Sequence, residues 1–167
     1  MNDLLPWALE RARDQTLSLV GDLEPDQACR QATSGEHHAV WILGHLLLGD
    51  IYLLSLLGAS ELAPDFARLL ERYGPKSSPT ASSAHYEPVT VLAERLHTTG
   101  IQRLAVVRGM TPTDLGGPTP DAFLARAQPT IAHHLHALVC HEGYHAGQLS
   151  AWRHNHGLGP VRWSFAP

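Results

Sequence analysis

Residues 39–57 read AVWILGHLLLGDIYLLSLL, and no other stretch constrains the fold as tightly. A segment this apolar around its whole circumference predicts a helix buried on most sides, so other helices must surround it. Gly58 is suited to end it, because a left-handed residue commonly follows a last helical turn. His45 and Asp50 break the apolar run, leaving it short of the roughly 20 residues that cross a bilayer.

Three more long helices are predicted from periodicity and punctuation. The first covers 4–23, with Asp3 as cap, Pro6 in the first turn, Leu5, Trp7, Ala8, Ala12, Leu19 and Leu23 as an apolar stripe, and Pro25 as the stop. The third follows Pro88 to Val107, carrying Val89, Leu92, Leu96, Ile101, Leu104 and Val107, and TPTDLGGPTPDA closes it after Gly109. The fourth covers 130–154, between Pro129 and Gly157. A short helical piece at 65–73 precedes GPKSSPTASSAHYEP, whose composition suits a surface connection. No strand-like alternation competes. The expectation is one all-α domain over 1–167, a four-helix bundle whose link of about thirty residues crosses the bundle and sets helices two and three parallel.

Composition narrows the function. With 44% hydrophobic and 17% charged residues the chain is too apolar to be disordered. A net charge of −4 gives no reason to expect a nucleic-acid partner. The start, MNDLLPWALERARDQ, carries acidic residues where an export signal is basic, so a cytoplasmic location without a membrane anchor is expected. Cys29 and Cys140 are too few for a disulfide framework and read as small reduced hydrophobes.

Twelve histidines stand out. His141 and His145 lie about 40° apart on helix four, one turn apart, in the spacing that lets two imidazoles reach one cation. Leu138, Leu149, Ile131 and Trp152 fall on the same face, so the pair points into the core. Left without partners there, each ring would cost about 1–3 kcal/mol, which a metal ion would remove. A pair needs at least one more protein ligand, and bundle sites draw ligands from facing helices. His45 is the inward histidine of helix two; alone it reads as a core histidine bonded to a carbonyl or a tyrosine, and beside the pair it reads as the third ligand. His38 and His134 sit seven residues before proposed ligands, about 10.5 Å along the axis and too far for the same ion; polar contacts at the bundle end are expected of both. His37, His133, His136, His154 and His156 read as solvated or helix-end residues. Trp41, Tyr52 and Trp152 read as core aromatics before pocket walls.

HEGYH, residues 141–145, matches the H-E-x-x-H motif of zinc proteases. The downstream ligand is missing, however: Gln148 and Ala151 occupy positions of one extension, and no acidic residue follows Glu142 for the other. Glu142, the candidate catalytic residue, lies about 100° around the helix from His141. It either orients a group behind the ligands or faces solvent.

The inward His45 within AVWILGHLLLGDIY, the H-x-x-x-H followed by G-Q-L in HEGYHAGQLSAWRHNHGLGP, and the separation of these blocks resemble the DinB-like family of bacterial helical proteins, which includes the YfiT-like proteins. The resemblance implies an up-down-down-up bundle, a divalent metal held by His45, His141 and His145, and a homodimer. It also implies a choice of chemistry: transfer to or from a low-molecular-weight thiol such as mycothiol or bacillithiol, hydrolysis, or stress-related binding of a metal or small ligand without turnover. Zinc is the first expectation, nickel the second, with iron also compatible with imidazole donors. The expected partner is a small-molecule substrate or thiol.

Overall fold

The computed structural model describes residues 3–62 and 65–161, and every regular element among them is helical. The helices are α1 (Leu4–Ser18), α2 (Ala39–Leu56), α3 (Phe66–Tyr73), α4 (Val89–Arg108), α5 (Pro112–Gly116) and α6 (Ile131–Asn155). As its composition demands, α2 is central and packs against α3, α4 and α6, while α1 packs against α4 and α6. Ile42, Leu43, Leu47, Leu53 and Leu54 are all fully buried along it. Its 18 residues, with a mean hydropathy of 1.7, are long and apolar enough to cross a membrane despite His45 and Asp50, but 72% of them are buried inside the protein, as a core helix requires.

Local chemistry sets the helix ends. His38 caps α2: its Nδ1 accepts the Trp41 amide at 3.3 Å, and its Nε2 donates to the Thr80 carbonyl at 3.0 Å. Thr130 caps α6 by accepting the His133 amide. Within the segment expected only to stop a helix, Thr111 and Asp114 form a reciprocal capping box that starts the short α5.

Three expectations need correction. Helix one ends at Ser18 and not at 23, although Leu19, Val20 and Leu23 are core residues as their spacing suggests. Val20 and Gly21 are weak helix formers, and Arg153 of α6 captures the Leu19 carbonyl at 2.9 Å. The inward face of α1 is also rotated from the expected stripe: Trp7 is 57% exposed, and Pro6, Leu9, Arg13 and Thr16 are buried instead. The same exchange occurs on α4, where Ile101 is exposed and Arg103 is buried.

Those two arginines meet two carboxylates at the centre of the molecule. Arg13 binds Asp50 through Nη2 at 2.9 Å and Glu142 through Nε at 2.5 Å, and its Nη1 donates to the Leu96 carbonyl. Arg103 binds the other Asp50 oxygen and donates to the Leu9 carbonyl at 3.2 Å. Burial alone would lower the Arg13 pKa; Asp50 and Glu142 outweigh it and hold the guanidinium above its ordinary range. Gly100 leaves room for it, since a Cβ there would stand 3.0 Å from Arg13 Nη1. One network of two cations and two anions thus ties α1, α2, α4 and α6 together.

Candidate metal centre

Behind that network, α2 and α6 bring three imidazoles together. His141 Nε2 lies 3.2 Å from His45 Nε2 and 3.0 Å from His145 Nε2. The donor atoms of all three fall within 4.8 Å of one another, as ligands of a single ion do.

The outer nitrogens define the protonation state of this cluster. His45 Nδ1 is 2.8 Å from the Tyr73 carbonyl, and His145 Nδ1 is 2.7 Å from Gln148 Oε1. Both partners are acceptors, so both Nδ1 atoms carry the proton and both Nε2 atoms present lone pairs. Each of these lone pairs faces His141 Nε2, which has at most one proton in the neutral ring. One close contact is therefore left as lone pair against lone pair. Protonating the rings is no remedy: burial lowers the pKa of His45 and of His141, and burial together with the two neighbouring rings pushes His145 down to about 3. A cation among the three nitrogens satisfies every lone pair at once, so the residues present fit a divalent metal.

The support for His45 comes from a close approach. Gly44, just before it, faces the Tyr73 ring, which any Cβ at that position would overlap. Without a side chain there, α3 settles onto α2, and Tyr73, the last residue of α3, offers a carbonyl that has no intrahelical partner. On the other side, the His45 ring stacks on Trp41 at 4.9 Å and 8°, and Trp41 stacks on His37 at 4.0 Å. His45 is thus both bonded to a carbonyl and turned toward the pair on α6, so the two roles weighed for it coexist.

Glu142 does not face solvent. It is 2% exposed, and both of its oxygens bond Arg13, with Arg103 3.6 Å from one of them. Among the described residues it makes no hydrogen bond to His45, His141 or His145. His38 and His134 make polar contacts away from the cluster, to Thr80 and Gln128 respectively. Cys140 is exposed and Cys29 buried, so only Cys29 fits the description of a core hydrophobe.

A cavity of about 560 Å³ opens directly beside His45 and His141, within the range of small-molecule sites. Its walls are mostly apolar, with Leu48, Phe66, Leu70, Leu124 and Leu138 among them, and among the described residues they include no carboxylate. Tyr52 lines it, with its hydroxyl donating to Asp121 at 2.5 Å, whereas Trp41 and Trp152 are buried in the core. The sequence alone does not reveal this cavity, because Phe66, Leu70 and Leu124 come from short connecting segments whose apolar residues look like ordinary packing.

Comparison with curated proteins finds no match. The family comparison does: residues 8–149 match the DinB superfamily, a span that includes all three histidines and the four charged residues behind them. The chain belongs to the DinB superfamily.

Proposed function

We propose that this protein holds one divalent metal ion through His45, His141 and His145 and uses it to activate a low-molecular-weight thiol for transfer to an electrophilic substrate. The observation that carries this reading is the convergence of three Nε2 atoms, two of them fixed as lone pairs by the Tyr73 carbonyl and Gln148. When bound, such an ion supplies a Lewis acid that lowers the pKa of a thiol or water beside it. Three neutral donors leave its charge uncompensated, which suits zinc first and nickel or iron next.

The chain's own residues favour thiol over water. A thiol with a pKa of about 8.5 needs far less assistance to ionise than water, and among the described residues the wall of the cavity beside the histidines offers no carboxylate to serve as a base. Glu142 enters as a structural residue of the buried charge network and not as a base, its oxygens committed to Arg13. Bacillithiol or mycothiol would be the thiol, and the apolar cavity would keep water from the activated sulfur.

The reading includes an up-down-down-up course of the four long helices. Contacts of Arg13 with Leu96 and of Glu10 with Arg108 support antiparallel α1 and α4, and contacts of Arg13 with Glu142 and of Leu19 with Arg153 support parallel α1 and α6. A homodimer acting in the cytoplasm completes it.

The test uses cobalt-substituted protein titrated with bacillithiol, mycothiol and simple thiols. A new sulfur-to-cobalt charge-transfer band at stoichiometric thiol supports the transferase. No band with any thiol, together with ester or amide turnover, replaces it with the hydrolase.

A further inference from the structure

Helix α2 carries two glycines, and packing accounts for only one of them. Gly44 is required by the Tyr73 ring, which a Cβ there would overlap. At Gly49 no such demand exists. Its φ is not positive, and a Cβ there would have no atom within 4 Å beyond its own helical backbone and chain neighbours. Neither the backbone nor a neighbour calls for glycine at this position, and inside a helix it costs stability relative to alanine.

The cavity beside the histidines does account for it. Gly49 lines that cavity together with His45, four residues before it on α2, and Tyr52, three residues after it. On the helical projection both lie within about 60° of Gly49, so the three share one face. Side chains lean toward the N-terminus of their helix, so one at position 49 would reach over the turn that holds His45. The space left by the missing side chain is therefore the part of the cavity next to the three imidazoles. Beside it Tyr52 stacks on Phe66 at 5.9 Å and 25°, forming an aromatic wall. Among the described residues the lining contains no Asp, Glu, Lys or Arg.

We propose that Gly49 sets what this cavity accepts: it keeps the place beside His45 open for a flat ring of an uncharged, mainly aromatic molecule, which a larger residue there would exclude. A wall without charged partners disfavours an ionised guest, and a flat helix surface next to stacked rings suits an aromatic one. That this guest is the substrate of the metal centre rests on the proposed function; the gap at Gly49 and the binding of an aromatic molecule do not.

The test uses protein as purified and again after chelation, with N-phenyl-1-naphthylamine as a large uncharged probe and toluene as a small one. Fluorescence and calorimetry are expected to show both probes bound by the wild type. In Gly49→Leu the large probe is expected to bind about tenfold more weakly, while toluene changes by less than about threefold. Gly49→Ala is expected to raise the urea midpoint, as a side chain entering empty space on a helix does. In the unsubstituted chain, nuclear Overhauser effects between the large probe and the Gly49 Hα protons are expected, a readout independent of how any variant folds. After chelation 1-anilinonaphthalene-8-sulfonate, the same skeleton with a fixed charge, is expected to bind at least about tenfold more weakly than N-phenyl-1-naphthylamine. Unaltered binding of the large probe by Gly49→Leu, equal losses for both probes, a lowered midpoint in Gly49→Ala, no contact between probe and Gly49, or equal affinity for the sulfonate overturns the proposal. Absence of metal from the wild type would overturn the metal-centre reading and leave these binding results standing.

Discussion

His45 donates its Nδ1 proton to the backbone carbonyl of Tyr73 at 2.8 Å, and that contact exists only because residue 44 has no side chain. Gly44→Ala pushes the Tyr73 ring away and with it the carbonyl that orients His45. The expected cost is about 1–3 kcal/mol of stability from overpacking and a loss of roughly tenfold or more in metal affinity from the disturbed ligand. Denaturant unfolding and competition against a chelator measure the two effects. Unchanged affinity would show that the carbonyl does not position the ring.

The buried charges separate structure from chemistry at Glu142. Glu142→Ala strands Arg13 without its closest carboxylate and is expected to cost about 3–5 kcal/mol. Replacing the whole network by apolar residues, as in Arg13→Met and Arg103→Leu with Asp50→Leu and Glu142→Leu, is expected to recover most of that loss, since no charge is then left unpaired. Because Glu142 makes no hydrogen bond to the three histidines among the described residues, Glu142→Ala should keep its ion below its melting temperature. Ion loss in the folded variant, seen by elemental analysis, would refute the separation.

His38 gives the metal-free protein a pH dependence of known sign. Burial, against partial support from the Thr80 carbonyl, lowers its pKa from 6.5 to about 4. The unfolded chain then binds more protons than the folded one between those values, so stability rises with pH across that window. The contribution is complete above pH 6.5 and is lost as pH falls toward 4. His38→Asn keeps a capping side chain and removes the titration, so its profile should be flatter by about 3 kcal/mol over the window. Urea unfolding of chelator-treated protein across this range checks it; parallel profiles for the two proteins would contradict it.

The parts of this architecture visible in the sequence are those that repeat with the helical period. Residues 39–57 announce a buried helix because the only charged or polar side chains among them are His45, Asp50, Tyr52 and Ser55, and the spacing of His141 and His145 places both rings on one side of α6. Arg13 and Arg103 were illegible for the opposite reason: each is an ordinary surface residue by type, and it becomes interior only when Asp50 and Glu142 from other helices arrive to meet it. Likewise the partners that fix the histidine tautomers, Tyr73 and Gln148, differ in readability. Gln148 follows His145 by three residues on one helix, whereas Tyr73 reaches His45 only through the packing of α3 at Gly44. The true end of α1 depended on Arg153, from the far end of the chain.

The central claim is that the three convergent imidazoles hold an ion, and elemental analysis of purified wild-type protein beside His141→Ala tests it most directly. His141 is the ring whose Nε2 lies within 3.2 Å of both others, so its removal should take most of the metal with it. The account predicts about one divalent ion per chain in the wild type and a small fraction of that in a folded His141→Ala; equal metal in the two proteins would contradict it.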